Sequence, residues 1–87
     1  MTPTELTLIA VYKSPVIPLL EISKKYLNLG PEVAARKAGS NELPFAAFRL
    51  TDSVKSPWMV KASDLAAHID SVGEKAHGEW EKSQVPV

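Results

Sequence analysis

Asn28-Leu29-Gly30-Pro31 constrains this chain more than any other stretch. It is a tight turn containing a glycine between two short helical patterns, and that order is the outline of a helix-turn-helix. Pro18 opens the first pattern, which reads as a helix over 18–28. Leu19, Ile22 and Tyr26 line one stripe, widened by Leu27, and Lys24 and Lys25 fall on the opposite side. Pro31 opens the second, a helix over 31–38 with Glu32 near its positive end, and Gly39-Ser40-Asn41 closes it. From Phe45 the period changes to two. Phe48 and Leu50 share one face, and Arg49 and Thr51 share the other. A polar loop from Asp52 to Pro57 leads into the return strand Trp58-Met59-Val60-Lys61, with Trp58 and Val60 on one face. The expectation over 45–61 is a β-hairpin with Lys55 at its polar tip and Arg49 and Lys61 on its polar face.

The flanking segments are helical in pattern. Thr2-Pro3-Thr4-Glu5 carries a cap, a proline for the first turn and the end of a capping box. Leu6, Ile9 and Tyr12 follow at spacing three, so an element over 3–12 reads as a short helix. Its β-branched residues leave a strand open. Lys13-Ser14-Pro15 breaks it, and Val16-Ile17 is a short extended piece because a residue before proline is pushed out of the helical region. After the hairpin, Ser63 caps a last helix with Asp64 in its first turn. Leu65, Ile69, Val72, Ala76 and Trp80 form a narrow apolar seam along it. Gly73 and Gly78 each weaken a helix by about 1 kcal/mol relative to alanine, which makes 63–72 the firm part. Residues 83–87 read as a loose tail. The division is thus a winged helix-turn-helix domain over 1–72 and a helical extension and tail over 73–87. The fold class is α+β and mainly helical, with one hairpin wing and a C-terminal helix.

Composition narrows the function. The 87 residues include no cysteine, so disulfides and thiolate metal sites are out, and His68 and His77 are too few and too far apart for zinc. No metal and no cofactor is expected. The chain opens without a signal-peptide pattern and its apolar runs are short, so a cytoplasmic location without a membrane is expected. The net charge of zero hides an asymmetry. Residues 1–61 carry eight Lys and Arg against five Asp and Glu, whereas 62–87 carry two against five. A neutral chain divided in this way can present a basic face where its acidic groups lie on another surface; the bland reading is that the split is chance.

No catalytic set emerges. Asp64, His68 and Ser71 stand one turn apart on one helix, but such a row is more often a solvated face, and the chain reads as a non-enzyme. DNA binding fits the pattern better. In a helix-turn-helix the second helix enters the major groove. Pro31, Glu32, Ala35, Arg36 and Lys37 belong to that helix, whose alanines permit close approach and whose Arg36 suits guanine edges. Glu32 either accepts from cytosine or simply favours the helix start. Lys24 and Lys25 brace the backbone. Ser53, Lys55 and Ser56 at the wing tip suit phosphate oxygens, with Arg49 and Lys61 beside them. The seam Leu65, Ile69, Val72, Ala76, Trp80 is longer than one small core requires, and it points to a homodimer or to packing against Leu6, Ile9 and Tyr12 of the same chain. In the core, Leu19, Ile22, Leu65 and Ile69 should meet Phe48 and Trp58 from the wing base.

The order of these features resembles the pyocin activator protein family of the PrtN type. The resemblance rests on Val16-Ile17-Pro18-Leu19, Lys25-Tyr26-Leu27, Gly30-Pro31-Glu32-Val33-Ala34, Leu43-Pro44-Phe45, Phe48-Arg49-Leu50, Ser53 through Val60, and Ala62 through Asp70. It covers roughly residues 8 to 72; more loosely, the order is similar to the winged helix-turn-helix of phage excisionases and MerR-type regulators. What it implies is a transcription activator of genes for phage-tail-like bacteriocins. Such an activator binds repeated boxes upstream of them as a dimer or in several copies, works with RNA polymerase, and is held down by a phage-type repressor until DNA damage. The family motif places Arg49, Lys55, Ser56 and the 31–38 helix where this sequence has them. Gly39-Ser40-Asn41 departs from it, with a polar turn where alanines are expected. Two other readings compete. One is a protein–protein adaptor on the same scaffold, favoured by the neutral charge. The other is an excisionase-like architectural protein that bends DNA.

Overall fold

A computed structural model describes residues 1–84. Its elements are α1 (Pro3–Tyr12), β1 (Val16–Pro18), α2 (Leu19–Ile22, continued by a π-helical turn over Ser23–Leu27), α3 (Pro31–Gly39), β2 (Phe48–Arg49), β3 (Trp58–Lys61) and α4 (Ala62–Ser83). The fold is α+β and mainly helical, with a small three-stranded antiparallel sheet that includes the hairpin wing.

The first element is a helix, not a strand. Thr2 is extended and its Oγ1 accepts from the Glu5 N–H at 3.1 Å, with Pro3 in the first turn. Lys13 ends it in the left-handed region at φ 56°, its N–H donating to the Ile9 carbonyl. Val16-Ile17-Pro18 then forms a full strand. β1 pairs antiparallel with β3 in the register Val16↔Lys61, Ile17↔Val60 and Pro18↔Met59. Pro18 therefore closes a strand instead of opening the helix. The strand order β1-β3-β2 leaves β1 at an edge, where a proline without an N–H is tolerated.

Register corrects the wing. β2 is only Phe48–Arg49, paired as Phe48↔Met59 and Arg49↔Trp58, and Leu50 lies in an exposed bend. Directly opposed residues of an antiparallel pair share a face. Arg49 thus lies with Trp58, Val60 and Ile17. Lys61 lies with Phe48, Met59 and Val16 on the other side, so Arg49 and Lys61 share no polar face. The same argument separates Phe48 from Trp58, and of the two only Trp58 packs against the buried core.

That core is Leu8, Ile17, Leu19, Ile22, Ala34, Ala38, Val60, Ala62, Leu65 and Ala66. Leu19, Ile22 and Leu65 are in it as expected, but Ile69 is 38% exposed and stands outside it. Tyr26 also departs from its stripe and is half exposed, while Leu27 packs inward. The π turn explains this. Its bonds run from i to i+5, so Leu27 comes above Ile22 in place of Tyr26. The Ser23 hydroxyl, enclosed at the start of that turn, donates to the Leu20 carbonyl at 3.1 Å.

α4 begins earlier than its sequence cap. Lys61 holds the N-cap position without a side-chain bond, and the Ala62 N–H donates to the Pro15 carbonyl at 2.8 Å. This bond continues the β1–β3 pairing into the first residue of the helix, so Ser63 lies inside it. The helix also passes Gly73 and Gly78 unbroken to Ser83, and Gln84 caps it. The part of the expected tail beyond Gln84 lies outside the described residues. α1 packs along the first half of α4, and the Thr4 hydroxyl donates to the Asp70 carboxylate at 2.6 Å. Because α1 begins at Pro3, little of it remains to cover α4 beyond Asp70. α4 is about 33 Å long at 1.5 Å per residue and sets much of the 58 × 26 × 17 Å extent. Of the seam, Leu65 is buried in the chain's own core, whereas Val72 and Trp80 are more than half exposed.

Candidate nucleic-acid interface

Asn28 in the left-handed region, at φ 53°, closes α2, and Pro31 opens α3 two residues after Leu29. This short connection fixes α3 across α2. Ala34 and Ala38 face inward because their small side chains let the two helices come close. The opposite side of α3 therefore faces out. Pro31, Glu32 and Arg36 are exposed, and Ala35 is half-buried between them. Glu32 and Arg36 stand one turn apart on the same face.

The wing meets this outer side. A cleft opens between α3 and the hairpin, lined by Pro31, Glu32 and Ala35 from α3 and by Arg49, Val54, Ser56, Pro57 and Trp58 from the wing. Pro18 and Leu20 close its end. Trp58 forms part of this lining, and its Arg49 partner lies over the ring, with the guanidinium carbon 4.5 Å from the centroid. Lys24 lines an adjoining groove that shares Leu20 and Pro31 with the cleft. Lys55 stands exposed at the wing tip. There the Lys55 N–H donates to the Ser53 hydroxyl at 3.1 Å, and the Ser56 N–H donates to the Ser53 carbonyl at 3.0 Å. Ser53 thus shapes the turn that presents Lys55.

Of the residues singled out from sequence, Pro31, Glu32, Ala35, Arg49 and Ser56 come together in one cleft. Lys24 and Arg36 adjoin it. Lys25 does not line it. Its ammonium lies 5.7 Å from the Tyr12 ring and 5.6 Å from the Tyr26 ring, toward the end of α1. The Tyr12 phenol there is pushed up to about 12, by burial first and then by the neighbouring Tyr26. Lys37 is half-buried, and Lys61 lies on the other face of the sheet from Arg49. Sequence reasoning missed the apolar lining, Leu20, Val54, Pro57 and Trp58. Only the cross-strand register links Trp58 to Arg49, and hairpin pattern alone does not give it. His68, from the tempting Asp64-His68-Ser71 row, packs its ring edge-on to Phe45 at 5.7 Å.

Charge follows the same division. Asp64, Asp70, Glu74, Glu79 and Glu81 all lie on α4, whose first turn follows directly on β3. His77 pairs with Glu81 at 2.8 Å on its exposed surface. No helix of the described residues is long and apolar enough to cross a membrane.

A mainly helical α+β chain with a two-helix turn, a hairpin wing against the second of those helices and a projecting terminal helix defines the class structurally. The model of the family described as pyocin activator protein PrtN matches residues 4–76. The chain belongs to that family, one of regulators of pyocin expression and not of enzymes. No curated protein and no solved structure matches it.

Proposed function

We propose that this protein is a sequence-specific DNA-binding transcription activator of pyocin genes, acting in the cytoplasm as a winged helix-turn-helix. The observation that carries the reading is the cleft between α3 and the wing. It joins five residues chosen for DNA contact to one another, with Lys24 in an adjoining groove. Arg36 is exposed one turn beyond Glu32, and Lys55 is exposed at the wing tip between Val54 and Ser56. α3 enters the major groove and the wing rides on the backbone beside it. The acidic α4 remains on the far side, free for RNA polymerase or a second copy of the activator.

The test is a gel shift or footprint on the upstream regions of pyocin genes at several salt concentrations. Phosphate contacts release counterions, so affinity falls steeply with salt. Binding that ignores salt, or no binding, returns the adaptor reading. A DNA bend near an integrase gene favours the architectural one. Lys55→Ala should weaken all sequences alike and lower the salt slope by about one. A loss confined to one sequence would put Lys55 on a base.

The activator acts as a homodimer or in several copies on its DNA boxes. Ile69, Val72, Ala76 and Trp80 lie exposed along α4 and supply the surface. Burying one large apolar side chain there contributes about 1.5–3 kcal/mol. Sedimentation at micromolar concentration should give a species above the 9.5 kDa monomer, and Trp80→Ala should return it to the monomer. A monomer unaffected by Trp80→Ala would leave multiplicity to the DNA.

A further inference from the structure

We propose that Arg49, held over the Trp58 ring, seats the sugar–phosphate backbone of duplex DNA in the cleft between α3 and the wing, with Trp58 as a positioning residue. The inference rests on the DNA-binding reading above and adds to it the part of the nucleic acid that this cleft takes.

Three observations converge. First, Arg49 lies over an aromatic face. It opposes Trp58 in the β2–β3 register, and its guanidinium carbon is 4.5 Å from the ring centroid. A cation–π contact makes no hydrogen bond, so the guanidinium keeps its N–H donors for the fork that fits two phosphate oxygens. Second, Arg49 is uncommitted. Among the described residues the recorded ion pair is His77 with Glu81, and no carboxylate lies within 4.0 Å of the Arg49 nitrogens. Glu32 lines the same cleft at the start of α3, so a phosphate is confined to the Arg49 side. Third, the platform is itself held. Trp58 is half-buried, and its indole packs against the hydrophobic core.

The rest of the lining selects the ligand. Leu20, Pro31, Val54 and Pro57 present carbon to the cleft, and Ser56 adds one small hydroxyl suited to a phosphate oxygen. A deoxyribose fits such a wall, and the adjoining phosphate fits the guanidinium. Geometry agrees. With α3 in a major groove and the wing on the backbone beside it, the surface between them faces the sugar–phosphate ridge that borders that groove.

The experiment uses a mixed-sequence 30-base-pair duplex at low salt, read by fluorescence anisotropy across a salt series. Arg49 is exposed, so Arg49→Ala leaves the fold intact. It should weaken binding and lower the slope of log affinity against log salt by about 0.9. Trp58→Leu should weaken binding several-fold when Arg49 is present and far less in the Arg49→Ala background, because a positioning residue acts through its partner. Trp58→Tyr keeps an aromatic face for the cation and should restore the affinity. An unchanged slope in Arg49→Ala overturns the proposal. So does an equal Trp58→Leu loss in both backgrounds, which would make Trp58 structural only. If the wild-type chain shows no salt-dependent binding to the duplex, the DNA-binding reading itself fails and this inference falls with it.

Discussion

Ile22→Ala should remove about 2–5 kcal/mol of stability, the largest loss expected from a single side chain here. Ile22 is fully buried and is the last residue before the π turn. Its loss leaves a hole among Leu19, the sheet and α3, and a thin core has few atoms with which to fill it. Per-residue scaling gives a chain of this size about 4–13 kcal/mol in total, so the variant is partly unfolded at the low end of that range. Ile69→Ala is the control. Ile69 is 38% exposed, so its removal opens little cavity and should cost less than about 1 kcal/mol. Denaturant midpoints of the two variants at one temperature, both in the Trp80→Ala background so that no dimer contact contributes, make the comparison. A loss under about 1 kcal/mol for Ile22→Ala would show that the helices close over the gap, and the assignment of Ile22 as a core anchor would fail.

What was legible in the sequence was local. Pro31 at the start of α3, the turn before it and the cap at Thr2 each act within a few residues, and each has its counterpart in the fold. β1 was not legible as a strand. Three residues carry no period, and the partner that makes Val16–Pro18 a strand lies more than forty positions away at Met59–Lys61. The phase error at Tyr26 has a different cause. A helical wheel assumes i to i+4 bonding, and nothing in Ser23-Lys24-Lys25-Tyr26-Leu27 announces a π turn. Ile69 was assigned to the core because the seam was read as continuous with Leu65. α1 reaches as far as Asp70 through Thr4, yet Ile69 beside it is 38% exposed, at the margin of the face that α1 covers.

The candidate interface divides along the same line. Charged and small residues on α3 and at the wing tip were found because their chemistry suggested them. The cleft between them was not, since Leu20, Val54 and Pro57 have no chemistry that points to DNA until the fold sets them opposite Pro31 and Ala35. Arg49 was named for its charge but placed beside Lys61. Alternation along Trp58–Lys61 was read correctly, while the first strand ends at Arg49 before Leu50 and Thr51 can alternate; the alignment of one strand on the other decides which residues meet, and that alignment is Arg49 on Trp58.

Arg36→Ala should cost about 1–3 kcal/mol in binding to the specific site and flatten the preference at one base pair. Arg36 lies on the exposed side of α3, one turn beyond Glu32, and its long side chain can extend from there to a base edge. Its guanidinium can donate two parallel bonds to the O6 and N7 of guanine, and no other pair of major-groove atoms accepts that fork as well. Among the described residues Arg36 has no ion pair to break, and as an exposed side chain its removal should leave the melting temperature near that of the parent. Arg36→Lys separates charge from geometry. It keeps the cation, so affinity for a scrambled duplex and the salt slope should hold, while the bidentate contact and its discrimination are lost. The measurement is competition between the footprinted site and a scrambled duplex of equal length. If Arg36→Ala weakens both duplexes by the same factor and Arg36→Lys restores both, Arg36 grips a phosphate, and the base reading belongs to another residue of α3.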